Sequence, residues 1–162
     1  MFNVRSGIIE DLKELTECYV EIWESLREWL PESFVNPEID RMLKSEGKEW
    51  LEQMIRSERG IVLVAKEDGK IIGVALGGVS EGVCHLGFLG VKKEYRKKGV
   101  GTKLLNRFID EAKKRKAHKI WLFTSPSLIP ARRLYIKNGF IPEGFLRKHT
   151  RGIDMIIYSK LL

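Results

Sequence analysis

Two glycines set among basic residues give the clearest chemical signal in the chain. The segment from His85 to Arg107 reads HLGFLGV, then KKEYRKKGVGT, then KLLNR. It is an apolar strand that breaks into a basic turn and then opens a helix. The first N–H groups of a helix have no intrahelical acceptor, and the helix dipole adds partial positive charge there. Gly99 and Gly101 let an anion come close to those donors. Lys92, Lys93, Arg96, Lys97 and Lys98 crowd the same turn. The segment predicts an anionic ligand that carries phosphate.

Other phosphate motifs fail on particular residues. A dinucleotide-binding G-x-G-x-x-G needs a third glycine where Leu104 stands, and Gly99-Val100-Gly101-Thr102 is not the G-K-[ST] end of a P-loop. His85, His118, His149, Cys18 and Cys84 show no metal-ligand spacing, so no metal is expected. No nucleophile-elbow pattern marks a serine for triad chemistry.

The elements that position this turn can be read along the chain. Phe2–Arg5 is a short strand. Leu12, Leu15, Tyr19, Ile22, Trp23, Leu26 and Leu30 keep helical spacing up to Pro31. Asn36-Pro37 reads as the N-cap and first residue of a second helix, with a break at Ser45–Lys48 before Trp50, Leu51, Met54 and Ile55 resume the period. Three strands follow, Ile61–Ala65, Lys70–Val79 and Val83–Val91, joined by turns at Asp68-Gly69 and Ser80–Gly82. Val100, Leu104, Leu105, Phe108, Ile109 and Ala112 share one face of the helix after the glycine turn. Ile120–Thr124 is a buried-type strand, Pro130 opens a helix that Asn138-Gly139 ends, and a last hairpin turns at Arg151-Gly152. The pattern predicts a mixed α/β (α+β) domain over residues 1–162, with helices covering a largely antiparallel sheet.

Composition narrows the class. A chain of 162 residues with 43% hydrophobic and 31% charged residues can bury a core without disulfides or metals. Two cysteines, no membrane-length apolar run and no leader pattern in MFNVRSGIIEDL point to a cytoplasmic protein. The net charge of +7 is unevenly spread. Residues 1–60 hold 8 Lys and Arg against 14 Asp and Glu, whereas residues 92–119 hold 12 against 3. A nucleic-acid surface is one reading of the basic stretch. A small polyphosphate ligand accounts for Lys92–Lys103 at least as well, and Lys113–Lys116 suit a helix C-terminus.

Arg96-Lys97-Lys98-Gly99-Val100-Gly101 resembles the R/Q-x-x-G-x-G/A signature of the GNAT acyltransferases. The likeness extends upstream through Leu89-Gly90-Val91, and downstream through Ala131-Arg132-Arg133-Leu134-Tyr135-Ile136-Lys137-Asn138-Gly139-Phe140, which is similar to the family's A-x-x-L-Y-x-x-x-G-F segment. Two motifs at the right separation and on the right elements are far more specific than either alone.

The resemblance implies an N-acetyltransferase that uses acetyl-CoA and an amine acceptor, on a sheet splayed at its fourth strand. Backbone amides of Lys97, Lys98, Gly99, Val100, Gly101 and Thr102 are expected at the pyrophosphate, with Arg96 shaping the turn. Leu89, Gly90 and Val91 are expected to pair with pantetheine, and the Leu89 N–H to face the thioester carbonyl. Ala131 belongs to the matching segment, and Arg132 and Lys137 are within reach of the coenzyme phosphates. Where the family often has asparagine this chain has Leu128, with Ser127 a substitute. Tyr135 is the expected general acid for the leaving thiolate. At the family's base position stands His85, with Glu24, Glu28 or water as alternatives. The acidic first sixty residues, with Trp23, Trp29 and Trp50, suggest a cationic acceptor, and Trp29 lies off the apolar stripe. A non-catalytic acyl-CoA sensor on the same scaffold is the competing reading. The acceptor's identity and a homodimer both stay open.

Overall fold

In the computed structural model, which describes residues 1–162, the chain forms seven strands and five α-helices. They are β1 (Asn3–Ser6), α1 (Leu12–Ser25), α2 (Glu32–Leu43), α3 (Ser45–Arg56), β2 (Gly60–Glu67), β3 (Lys70–Ser80), β4 (Val83–Val91), α4 (Val100–Lys114), β5 (Lys119–Thr124), α5 (Ile129–Lys137), β6 (Ile141–Thr150) and β7 (Ile153–Leu161). One sheet holds all seven strands in the order β1-β2-β3-β4-β5-β7-β6. Every neighbouring pair is antiparallel except β4 and β5.

The hairpin turns follow local chemistry. Asp68-Gly69, Glu81-Gly82 and Arg151-Gly152 all take positive φ at both positions, the backbone that matches strand twist in a two-residue turn. The N-terminal helices depart from the reading above. The first helix ends at Ser25 and passes into a 3₁₀ turn over Leu26–Glu28. The second begins at Glu32, with Pro37 inside it and extended Pro31 as its N-cap. Pro31 accepts from the N–H groups of Phe34 and Val35, both of which are buried, and that burial outweighs the bond Pro37 cannot make. The third helix starts at Ser45, so Gly47 is a packing residue rather than a break. A Cβ there would fall 2.3 Å from the Arg41 carbonyl oxygen.

Each face of the sheet carries its own core. α4 packs on one face over Leu63, Ile72, Ala75, Leu86, Ile120 and Leu122, and Tyr135, Phe140 and Tyr158 join this cluster. α1, α2 and α3 cover the other face, over Val62, Val64, Val74, Leu76 and Met155. The two layers meet a gap where β4 and β5 separate. β4 pairs with β5 only through Val83, Cys84 and His85, so Leu86–Val91 and Leu122–Thr124 present unpaired facing edges.

Candidate active site

The separation of β4 from β5 coincides with a bulge. Leu76 of β3 faces Phe88, but the next residue, Gly77, faces Leu86, leaving Gly87 as the extra residue on β4. Side chains alternate across a strand, so the inserted residue changes the count. Cys84, Leu86 and Leu89 belong to the α4 side, whereas Phe88 packs on the α1 side with Tyr19 and Trp23. His85 stacks on Trp121 at 4.3 Å between ring centroids and lies 5.8 Å from Phe123, on the α1 side too. Gly77 makes room for this detour. A Cβ on it would sit 2.1 Å from the His85 carbonyl oxygen and 2.6 Å from Phe108.

At the other end of β4 the chain turns into α4. Gly99 caps this helix with φ 84°, and Lys97 has φ 61°. Both lie in the left-handed region, so the backbone curls and aims its N–H groups outward ahead of the helix. Gly99 is open on its Cβ side, and a Cβ added to Gly101 would meet Leu134 of α5 at ordinary contact distance. The helix N-terminus, the end of β4 and α5 thus converge.

The basic residues of the turn do not act as one cluster. Lys92 pairs with Glu21 at 3.1 Å and Lys93 with Glu28 at 3.2 Å. Arg96 turns inward, donating to the Val91 carbonyl at 2.9 Å and to the Ser25 hydroxyl, which fastens the turn to β4 and to the end of α1. Lys97 and Lys98 are exposed without a carboxylate partner, and Lys98 lies over the Tyr95 ring. Lys103, in the first turn of α4, is exposed too and lies over the Phe2 ring, so these three lysines offer cationic groups free of carboxylates beside the cap.

α5 supplies Tyr135, packed between Phe140 and Tyr158 at 5.7 and 6.2 Å. Burial pushes its phenol well above the ordinary range, so the hydroxyl keeps its proton. Ala131 packs on the same core. Arg132 donates to the Tyr158 hydroxyl and the Pro126 carbonyl, making it a brace for the β5–α5 loop. Lys137 is exposed. The Ser127 hydroxyl donates to the Trp29 carbonyl at 3.0 Å and lies 2.8 Å from the Ser125 hydroxyl, so its single proton is committed inside the protein.

On the α1 side an open cavity of about 790 Å³ reaches His85. Tyr19, Trp50, Phe88 and Trp121 give it aromatic walls, and Arg41 and Arg59 are its other ionisable residues. Burial draws the His85 imidazole below its ordinary range, leaving it neutral at pH 7. Glu24 and Glu28 do not line this space. Glu24 is held by Arg27, whose hydrogen bond lowers its carboxyl further, and Glu28 by Lys93.

Three features around this cavity differ from the sequence reading. Trp23 is core and Trp29 is half-buried, whereas Trp50 is 37% exposed and lines the cavity. Trp121, read as one residue of a buried strand, forms part of the wall with His85. No aspartate or glutamate lines the cavity, because the acidic residues of the first sixty are paired elsewhere or face solvent. No group of three or more His, Cys, Asp or Glu side chains converges as metal ligands would, and no helix is long and apolar enough to cross a membrane.

The Acetyltransferase (GNAT) family model matches residues 23–140, which run from α1 through the turn to the end of α5. The chain belongs to the GNAT acetyltransferase family. Among curated relatives of this GNAT protein, "Uncharacterized N-acetyltransferase MJ1530" of Methanocaldococcus jannaschii is 35% identical over 102 residues, covering 60% of this chain and 64% of that one. The spore coat polysaccharide biosynthesis protein SpsD of Bacillus subtilis is 27% identical over 111 residues, or 68% of this chain and 38% of that one. The matched segments therefore span less than two thirds of either relative. Among solved structures, the PaiA N-acetyltransferase of Thermoplasma acidophilum in complex with coenzyme A superimposes with a TM-score of 0.83 at 24% identity, covering 100% of this chain and 99% of that one. The ribosomal-protein-alanine N-acetyltransferase of Brucella melitensis gives 0.80 at 25% identity, with 99% of both chains covered. These likenesses extend the GNAT fold to the whole chain.

Proposed function

We propose that this GNAT protein transfers an acetyl group from acetyl-CoA to a primary amine. The observation that carries the reading is the opening between β4 and β5, whose free edges run from the α4 cap to the cavity at His85. The donor set fits the coenzyme. Unpaired strand edges suit the amide-bearing pantetheine arm, and a left-handed cap with free N–H groups suits a pyrophosphate.

In this reading the amides of Lys97 through Thr102 hold the phosphates, while exposed Lys97, Lys98 and Lys137 add charge around them. Leu89, Gly90 and Val91 offer the free strand edge, and the Leu89 N–H polarises the acyl carbonyl. Arg96, Ser127 and Arg132 act on the walls, since their polar groups are bonded within the protein. Ala131 keeps the first turn of α5 small beside them. Acetyl-CoA, when bound, supplies the thioester acyl group.

His85 accepts the proton that the amine nitrogen gives up as its lone pair forms the new C–N bond. Tyr135 gives its phenolic proton to the sulfur that leaves with the electrons of the broken C–S bond. The two residues lie on opposite sides of the sheet, so proton removal and proton delivery are separated by the opening itself. The test is free thiol release from acetyl-CoA across a broad panel of amines. Acetyl-CoA binding without thiol release from any amine would assign the fold to a sensor instead.

A further inference from the structure

The aromatic cavity beside His85 has a charge opposite to the one the acidic N-terminal sequence suggests. Arg41 reaches it from α2, with its guanidinium 5.1 Å from the centre of the Trp50 ring. The same group donates to Glu38 at 2.9 Å and to the Tyr19 hydroxyl at 3.3 Å. Glu38 is also the partner of Arg151, at 3.1 Å. Two guanidiniums therefore share one carboxylate, leaving one positive charge uncompensated. Arg59 follows α3 at the cavity and has no carboxylate partner. The remaining titratable wall groups are His85, neutral at pH 7, and Tyr19, whose phenol burial pushes up to about 12. No wall residue offers a negative charge to a second ammonium group.

We infer that the acceptor is a small amino carboxylate, with an aromatic or apolar body that carries the reacting amine at one end and a carboxylate at the other. This rests on the acetyl-transfer reading for which end reacts, but the seat for the carboxylate stands on the cavity alone. The aromatic wall of Tyr19, Trp50, Phe88 and Trp121 gives the body an apolar berth, and a volume of about 790 Å³ is that of a small-molecule pocket. The amine end lies toward His85, where the sheet opens. The carboxylate end lies toward the helix wall at Arg41, where a charged acceptor makes the strongest hydrogen bonds. A diamine of the same length sets its second cation against Arg41 and is rejected by like charge.

Three acceptors of one shape separate these outcomes: 4-(aminomethyl)benzoate, 4-(aminomethyl)benzamide and 1,4-bis(aminomethyl)benzene. Their far ends are negative, neutral and positive. Binding is read by quenching of tryptophan fluorescence, and transfer by thiol release from acetyl-CoA. The benzoate is expected to bind about tenfold more tightly than the benzamide, and the diamine most weakly. Arg41→Gln is expected to bring the benzoate and benzamide within about twofold of each other. Arg59→Gln, at an exposed site, is expected to narrow the gap as well, and it serves if loss of Arg41 disturbs folding by circular dichroism. Equal binding of benzoate and benzamide, or preference for the diamine, overturns the inference whether or not thiol is released. Selective benzoate binding without thiol release from any acceptor keeps the anionic seat and removes the transferase reading. Thiol release at equal kcat/KM from all three does the reverse.

Discussion

His85 and Trp121 are the last residues that β4 and β5 share in register, and their rings stack at 4.3 Å. Beyond this pair the two strands part, so the stacked rings close one end of the opening and floor the cavity at the same point. The proposed proton acceptor is thereby fixed at the end of the opening.

Tyr135→Phe removes one hydroxyl from a packed phenyl ring and leaves its contacts with Phe140 and Tyr158. The expected result is a fall in kcat of about 100-fold, the low end of general-acid effects, with KM for acetyl-CoA unchanged. Steady-state thiol release measures both. A wild-type rate in this variant removes Tyr135 from the chemistry.

His85 gives a pH signature. Its conjugate acid is destabilised by burial, so the neutral base form persists below the ordinary value of 6.5. At saturating acceptor, kcat is expected to hold as pH falls from 7 to 6.5 and to drop only below that range. His85→Gln loses this acid limb and runs about 100-fold slower at pH 7. The dependence of kcat/KM on the neutral fraction of the acceptor amine stays in both proteins. A retained acid limb in the variant assigns it to another group.

Gly77→Ala tests the bulge. The added methyl meets the His85 carbonyl and the Phe108 ring, neither of which can move without shifting a strand or a buried aromatic. Urea unfolding is expected to show a loss of about 2 kcal/mol. Gly78→Ala meets only the Arg59 carbonyl, at 3.1 Å, and is expected to lose less. Equal losses at the two positions would mean that β3 yields at Gly77.

Away from the site, Glu111 carries acid sensitivity. Burial favours its neutral form, but hydrogen bonds from Arg115, Lys114 and Arg107 prevail and bring the carboxyl down to about 2. A carboxylate depressed on folding stabilises the protein above its unfolded value, and that contribution drains away as pH falls through the folded one. Glu111→Gln is therefore expected to cost about 1–2 kcal/mol at pH 7. The gap to wild type should close between pH 4.5 and 2 in thermal melts. A gap that is constant with pH would assign the loss to packing.

What could be read from the chain was local. The turns at Asp68-Gly69 and Arg151-Gly152, the stripe from Val100 to Ala112 and the Gly99 cap each depend on neighbours a few residues away. The start of α2 was misplaced because Pro37 is a strong helix-opening signal, and only the burial of Phe34 and Val35 overrides it. The bulge at Gly87 was invisible because it exists in the pairing of β3 with β4, not in either strand. The charge of the cavity wall was hidden for a related reason. Counting charge over sixty residues says nothing of where each carboxylate is spent, and Glu21, Glu28 and Glu38 are all bound to cations. Alternation did hold one clue, since Trp121 and Phe123 share a face, but which face looks into a cavity follows from the helices above it.

The stretch from Ser25 to Trp29 is fastened three times. Ser25 accepts from Arg96, Glu28 holds Lys93, and the Trp29 carbonyl receives the Ser127 hydroxyl. Two of these fasten it to the basic turn before α4 and the third to the loop that leads into α5. For protein engineering this makes α1 and the turn after it a poor cassette. A recipient given new N-terminal helices would inherit a loosened basic turn unless the serine, the glutamate and that carbonyl travelled with them. α3, which bears Trp50 and none of these ties, is the segment to exchange when the cavity wall is to be altered.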